Sequence, residues 1–239
     1  MRHTLNLWRH GLGEVPDTVW RRTELQVLIL ADNGLTSLSP EIKKLTRLRT
    51  LDLGHNALTA VPEEVGQLPE LTDFLYLHDN RLAQLPEDLG HLTRLRYLNV
   101  GENRLTALPE AVGGMTGLIE LRAQHNHLTE LPASIGGLTG LRELWLHGNA
   151  IRRLPSATAR LHALRHLDLR ENALAELPGS LAGLPSLRQI DLRGNRLTHL
   201  PDWLTELPSL EKLDLRWNDI DPAAPLLARL ERQGCVVLL

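Results

Sequence analysis

The sequence is poor in cysteine and in aromatic residues, and it has no long apolar run. Its 239 residues include one cysteine, Cys235, which excludes an internal disulfide and a metal site built from cysteines alone. A chain without disulfides favours a reducing, cytoplasmic location. Aromatic residues make up only 3% of the chain, so aliphatic side chains must fill the core. No stretch approaches the roughly 18 apolar residues of a membrane-spanning helix, and Met1–Val15 lacks the apolar core of a signal peptide.

The chain also lacks an excess of charge of one sign and any recognisable catalytic motif. Lys and Arg number 26 against 29 for Asp and Glu, which gives a net charge of −3. Nucleic acids and anionic membranes require clustered positive charge, so we expect neither as a partner. The phosphate-binding loop, the G-x-S-x-G nucleophile motif and the H-E-x-x-H zinc motif are absent from the sequence. We therefore expect no enzymatic activity, no metal and no cofactor.

What the sequence does contain is one motif repeated along its whole length. The segment Leu51–Leu58 recurs as Leu98–Leu105 and as Leu167–Leu174, each with an asparagine at the same place. These asparagines are separated by 23 residues, except for one interval of 24: Asn33, Asn56, Asn80, Asn103, Asn126, Asn149, Asn172, Asn195 and Asn218. Leu5–Leu12 is a degenerate first copy, which makes ten. No linker interrupts them, so we predict a single domain over residues 1–239, with repeats to about residue 220.

The motif predicts a strand followed by a turn in every repeat. Its Leu-x-Leu core alternates with period two, so the leucines face the core and the residue between them faces outward. The asparagine that follows can bond the backbone groups exposed at a turn, and stacked repeats then form a structural ladder of asparagines. The proline of the Leu-Pro step fixes φ and has no N–H, which favours short turns or 3₁₀ pieces on the return path of each repeat.

The pattern L-x-x-L-x-L-x-x-N-x-L-x-x-L-P resembles the leucine-rich repeat in its short form of about 23 residues. It is similar to the intracellular repeats of bacterial proteins and of scribble-type and plant Ras-group-related proteins. It also resembles the repeat portion of secreted bacterial ubiquitin ligases, although Cys235-Val236-Val237 lacks their C-x-D nucleophile motif. The resemblance implies an α/β solenoid: a right-handed horseshoe with a parallel sheet on its concave face and short turns or 3₁₀ pieces on its convex face.

The two ends of the solenoid are predicted to differ. A helix starting at Asp221-Pro222, with an apolar stripe and a stop at Gly234, forms a cap over residues 221–239 together with a final strand. Cys235 belongs to this cap and is expected to be buried. The N-terminal side has no evident cap. The edge Arg2–Trp8 is therefore predicted to be open, covered by a partner or used in weak self-association.

Aromatic residues are concentrated at the outward positions of the predicted strands. Five of the eight lie there, where chance would place about one, and exposed rings with arginine are common anchors in recognition. The extra residue between Leu71 and Leu75 predicts a bulge that re-aims Phe74 beside Tyr76. We predict a ligand-binding concave patch composed of Phe74, Tyr76, His78, Tyr97, Arg122, Trp145 and His147.

Other outward residues allow more than one interpretation. The last three repeats carry a charged surface that either neutralises itself or docks a charged partner: Asp168, Arg170, Asp191, Arg193, Asp214 and Arg216. Glu120 and Glu143 could accept a basic group of a ligand. His125 could approach His147 closely enough for a metal ion, although exposed polar residues of no special role are the simpler interpretation.

Taken together, these patterns predict a non-enzymatic scaffold that binds a protein or peptide on the concave face of its sheet. The alternative is a regulatory or targeting module of a bacterial effector, kinase or GTPase signalling assembly. The excess of Arg over Lys, 23 to 3, hints at a GC-rich bacterial genome. A cytoplasmic location is expected, with a secreted effector as the other possibility.

Overall fold

Each 23-residue unit contributes one short strand, and the strands stack side by side in chain order. The computed structural model describes residues 3–239. Over that range eleven strands form one parallel sheet in the order β1 to β11. Their bounds are Thr4–Asn6, Val27–Ile29, Thr50–Asp52, Phe74–Tyr76, Tyr97–Asn99, Glu120–Arg122, Glu143–Trp145, His166–Asp168, Gln189–Asp191, Lys212–Asp214 and Val236–Leu238. The predicted horseshoe solenoid is confirmed, with the sheet on its concave face.

The return path of the repeats is built from 3₁₀ helices. The proline of the Leu-Pro step commonly precedes them in an extended conformation, as Pro86 does with φ −68°. Their bounds are Val19–Arg21, Pro40–Lys44, Glu63–Val65, Glu87–His91, Glu110–Gly114, Ala133–Gly137, Ser156–Arg160, Gly179–Leu181 and Asp202–Glu206. No helix within residues 3–239 has the length and apolar character needed to cross a membrane.

The core between these two layers is a continuous stack of aliphatic side chains. The inward leucines of the repeats from β2 to β10, such as Leu121 and its strand neighbour Leu144, are buried. Trp20 is also buried there. One repeat cannot cover its own leucines, so each repeat depends on contact with its neighbours.

A ladder of asparagines closes the turns along the whole stack. Asn103 accepts a hydrogen bond from the Leu82 amide of the preceding repeat at 3.0 Å. Its Nδ2 donates to the carbonyls of Leu77, Val100 and Gly101 at 3.0–3.1 Å. All nine repeat asparagines accept an amide of the preceding repeat in this way. Their role is therefore structural.

The extra residue before β4 does not disturb the strand, contrary to the sequence-based expectation. Phe74, Leu75 and Tyr76 pair one to one with their neighbours on both sides. The irregularity lies just ahead of the strand, where the Arg96 amide donates to Thr72 rather than to Asp73. Phe74 lies beside Tyr76 because alternate residues of a strand share a face.

The C-terminal cap differs from the prediction in where its helix starts. Helix α1 spans Pro225–Arg232, three residues beyond the predicted Pro222, because the Asp221 carboxylate accepts the Ala223 amide at 2.9 Å in a turn. Leu226, Leu227 and Leu230 are buried as expected, and β11 pairs with β10. Cys235 is buried, and burial raises the pKa of its thiol.

At the other end, β1 pairs only with β2, so its outer edge is unpaired within the described chain. Trp8 follows this strand and is half exposed. Arg2, which belongs to the predicted open edge, lies outside the described residues. Self-association through this edge stays a prediction.

Close approach between 3₁₀ helices makes one glycine intolerant of a side chain. A Cβ at Gly137 would overlap the carbonyl oxygen of Gly113, whereas a Cβ at Gly179 would meet nothing within 4 Å. We expect Gly137→Ala to lower the free energy of unfolding by about 2 kcal/mol, because the backbone must shift. The matched change Gly179→Ala should leave it unchanged or slightly raised. Urea unfolding of both variants checks this, and equal stability would contradict the predicted overlap.

Candidate functional site

The outward side chains of β4 and β5 form a cluster of three rings on the concave face. Phe74 and Tyr76 lie nearly parallel, with ring centroids 5.9 Å apart. Tyr97 of the next strand lies 5.1 Å from Tyr76 and 5.6 Å from Phe74. Phe74 is the most open of the three, with 42% of its surface exposed. A contiguous group of exposed rings, unlike a single exposed side chain, is typical of an interaction site.

Arg122 connects this cluster to Trp145 two strands further on. Its guanidinium carbon lies 5.9 Å from the centroid of Tyr97 and 4.9 Å from the centroid of Trp145. An ion pair with Glu120 on the same strand holds the guanidinium in place. Cation–π contacts of this kind order an arginine between rings without removing it from the surface.

Trp145 extends the surface by one more strand. Its indole nitrogen donates to Glu143 at 3.2 Å, and its ring lies 4.3 Å from that of His166 on β8. His166 was not among the predicted patch residues, although it occupies an outward strand position. Glu143 and Glu120 were predicted to receive a basic ligand group, but each already has a partner within the protein.

The two tyrosines of the patch remain neutral phenols at physiological pH. Burial raises the pKa of Tyr76, and the charges of Asp52 and Glu120 raise it further. Burial also raises the pKa of Tyr97, an effect that the nearby Arg122 partly opposes. Neutral phenols can both donate and accept hydrogen bonds, which suits recognition of a polypeptide backbone.

The two histidines of the predicted patch lie at its margin and face other partners. The His78 ring lies 6.0 Å from Tyr76, and its Nε2 is 3.2 Å from Nε2 of His55. His147 lies with Nδ1 3.0 Å from Asp168 and Nε2 3.3 Å from a guanidinium nitrogen of Arg170. The contiguous part of the patch is therefore Phe74, Tyr76, Tyr97, Arg122 and Trp145, with His166 added.

The charged surface of the last three repeats is largely paired within itself. Asp168 and Asp214 are buried, with side chains 2–3% exposed. Arg216 bonds Asp214 at 2.7 Å, and Arg193 bonds Asp191 at 2.6 Å while lying 3.5 Å from Asp214. Burial favours the neutral form of Asp168 and Asp214, but hydrogen bonds and the charge of their partners outweigh it and lower the pKa of both. This arrangement agrees with the self-neutralising interpretation.

One cavity adjoins the rings of the patch, and a larger one lies away from them. A cavity of about 470 Å³ is lined by Phe74, Tyr97 and Glu120, together with residues that precede the strands. A larger cavity of about 600 Å³ lies among the turns between Ala107 and Ser156. The smaller cavity is the relevant one, because it is continuous with the aromatic surface.

Comparison with solved structures shows the same architecture in proteins of diverse origin. An internalin from Listeria monocytogenes is 22% identical, with a TM-score of 0.72 over 94% of this chain and 70% of its own. The ectodomain of the Arabidopsis thaliana receptor kinase GASSHO1/SCHENGEN3, in complex with CASPARIAN STRIP INTEGRITY FACTOR 2, is 29% identical with a TM-score of 0.74. The Arabidopsis receptor kinase HAESA, in complex with the peptide hormone IDA and a co-receptor, is 28% identical with a TM-score of 0.78.

The two plant proteins are much longer than the matched region. The alignments cover 94% and 91% of this chain but only 30% and 38% of GASSHO1/SCHENGEN3 and HAESA, respectively. No curated protein matched the sequence. Family models described as leucine rich repeat match residues 23–82, 139–197 and 177–220, and a leucine-rich repeat region matches residues 73–149. The chain therefore belongs to the leucine-rich repeat family.

Proposed function

We propose that this chain is a binding scaffold that holds an extended peptide, or an extended segment of a protein, across β4 to β8 of its concave face. The observation that carries the proposal is the continuous surface from Phe74 to His166, in which Arg122 joins two groups of rings. Tyrosine, tryptophan and arginine are the residues that most often dominate the binding energy of interfaces. The proposal includes no catalytic step.

The pairing of neighbouring charges supports this choice of surface. Beyond β8, the outward carboxylates and guanidinium groups bond one another, so they have little free capacity to bind a charged partner. The rings of β4 to β7, in contrast, leave apolar area open. The complex of HAESA with the peptide hormone IDA supports the proposal, because it shows a peptide bound to a protein of the same architecture.

The spacing of the strands sets the length of segment that fits. Adjacent strands lie about 4.8 Å apart, so five strands from β4 to β8 span about 19 Å. An extended chain advances about 3.3 Å per residue, so about six residues cover the surface. We expect the bound segment to place apolar or aromatic side chains at its two ends, over the Phe74–Tyr76–Tyr97 cluster and over Trp145.

A random peptide library displayed on phage tests this function. Peptides selected on the wild-type protein are expected to bind the double variant Tyr76→Ala/Trp145→Ala at least tenfold more weakly, since both anchors are lost. Trp217→Ala is the matched control: its ring is 71% exposed but lies beyond the patch, so binding should not change. Selected peptides that bind the double variant as tightly as the wild type would overturn the proposal. Circular dichroism of each variant verifies that the fold is retained.

A further inference from the structure

Two histidines from neighbouring repeats bring their ring nitrogens together at the margin of the sheet. His55 lies in the turn after β3, and His78 follows β4. Their Nε2 atoms are 3.2 Å apart, and the rings meet edge to face with centroids 4.7 Å apart. Two imidazoles bound to one tetrahedral zinc ion, each at about 2.05 Å, place their nitrogens about 3.3 Å apart. The observed separation therefore nearly equals the separation that a shared metal ion requires.

A carboxylate fixes the protonation of the first ring. His55 Nδ1 lies 2.7 Å from Oδ2 of Asp79, so this nitrogen carries the hydrogen and donates it to the carboxylate. The lone pair of neutral His55 is then on Nε2, the atom that faces His78. A carboxylate that orients a histidine through its other nitrogen is a common feature of metal sites.

The backbone beside the pair leaves room for the rings. Gly54 precedes His55, and a Cβ at this position would overlap Cε1 of His78, so only glycine admits the imidazole as it lies. Nδ1 of His78 is buried and has no hydrogen-bond partner.

A second histidine pair has the same ring geometry but partners that disfavour a metal ion. His125 and His147 also lie with ring centroids 4.7 Å apart, at the same place three repeats further on. However, His147 Nδ1 lies 3.0 Å from Asp168, and its Nε2 lies 3.3 Å from the Arg170 guanidinium. An adjacent guanidinium repels a metal cation. The pair that the sequence suggested for a metal is therefore the less suitable of the two.

We propose that His55 and His78 bind a divalent transition-metal ion, such as Zn²⁺, through their Nε2 atoms. Within residues 3–239, no three His, Cys, Asp or Glu side chains converge closely enough to hold a metal, so water completes the coordination. A site with two imidazoles and open positions suits Zn²⁺, Ni²⁺ and Cu²⁺, with Cu²⁺ bound most tightly. The site lies beside the aromatic surface and does not depend on peptide binding there.

Titration with Zn²⁺ alone, followed by calorimetry and by NMR of the imidazole nitrogens, tests the site. We expect one equivalent to bind, with shifts of the Nε2 resonances of His55 and His78 that exceed those of any other histidine. His55→Gln and His78→Gln should each weaken binding at least tenfold, whereas His125→Gln should not. Gly54→Ala is a further variant that removes no ligand, and it should weaken binding because the added methyl group displaces the His78 ring.

Three results would overturn this inference. The first is that the wild-type protein takes up no Zn²⁺ at millimolar concentration. The second is that His55→Gln binds Zn²⁺ as tightly as the wild type, and the third is that the shifts fall on His125 and His147 instead. Thermal unfolding of each variant verifies its fold. If His78→Gln does not fold, His55→Gln decides the result, because the His55 ring is exposed and its loss leaves no cavity.

Discussion

Replacing Asn126 by alanine is expected to lower the free energy of unfolding by about 4 kcal/mol, the largest effect of any single substitution considered for this protein. Its Oδ1 accepts the Leu105 amide at 2.9 Å. Its Nδ2 donates to the carbonyls of Val100, Ala123 and Gln124 at 3.0–3.2 Å. Alanine leaves the Leu105 amide without a partner, which costs about 1–3 kcal/mol. It also removes three hydrogen bonds worth about 0.5–1.5 kcal/mol each, although the carbonyls keep other donors, as Val100 keeps Asn103 Nδ2 and Ala123 keeps Asn149 Nδ2.

Urea unfolding followed by circular dichroism measures this loss, and Asn6→Ala is the matched control. Asn6 is exposed and accepts a single hydrogen bond, from the Trp8 amide at 2.9 Å. Its replacement should cost no more than about 1 kcal/mol. Asn126→Asp distinguishes the contribution of the acceptor from that of the donors, because it keeps the acceptor for Leu105 and removes the donors. An Asn126→Ala protein as stable as Asn6→Ala would show that the ladder does not hold the turns.

Replacing Asp168 by alanine should lower the free energy of unfolding by about 3 kcal/mol near neutral pH. The Asp168 carboxylate is buried, with His147 at 3.0 Å and Arg170 at 3.3 Å. Its removal takes away the acceptor of the Arg170 amide at 3.2 Å and the carboxylate partner of His147, and hydrogen bonds to a charged group each contribute about 1.5–3 kcal/mol. Asp52 lies in the same position of β3 but accepts only the Gly54 amide, at 3.0 Å, so Asp52→Ala should cost less than about 1.5 kcal/mol.

The difference between wild type and Asp168→Ala should shrink in acid. The pKa of Asp168 is lower in the folded protein than its ordinary value, so its ionised form stabilises the fold. That contribution is complete above the ordinary pKa of aspartate and is lost as the pH falls through the lower, folded-state pKa. Urea midpoints measured from neutral pH to below about pH 3 should therefore converge for the two proteins. A difference that stayed constant with pH would show that the charge of Asp168 is unimportant.

The strand positions and the asparagine ladder were predictable because they depend on period and spacing alone. Any 23-residue copy with Leu-x-Leu and a following asparagine places its leucines inward, and Leu121 and Asn126 lie as that rule requires. The position of the extra residue before β4 was predicted correctly, but the predicted bulge within the strand was wrong. Strand pairing preserves the register from Phe74 to Tyr76 and moves the irregularity into the preceding loop.

Which outward side chains already have a partner within the protein was harder to predict. Asp52 and Asp168 occupy equivalent positions, yet only Asp168 contacts a histidine. The preceding repeat places His147 beside Asp168, whereas it places Ala31 at the equivalent position before Asp52. Pairs separated by 21 residues, such as His147 with Asp168 and Arg193 with Asp214, carry this signal. The His55–His78 pair occupies the same two positions of the repeat as His125 and His147. The extra residue makes its spacing 23 residues instead of 22, which hides the equivalence in the sequence.

The direction of the asparagine hydrogen bonds has a consequence for how proteins of this kind can change in length. Each amide side chain reaches only within its own repeat and the one before it, so every step of the ladder is equivalent to the next. A unit of 23 residues can therefore be excised or duplicated without redesign of the turns on either side. The size of the concave face is thus modular: the number of units sets the longest segment that it can span, and the outward residues of each unit decide which part of the face binds.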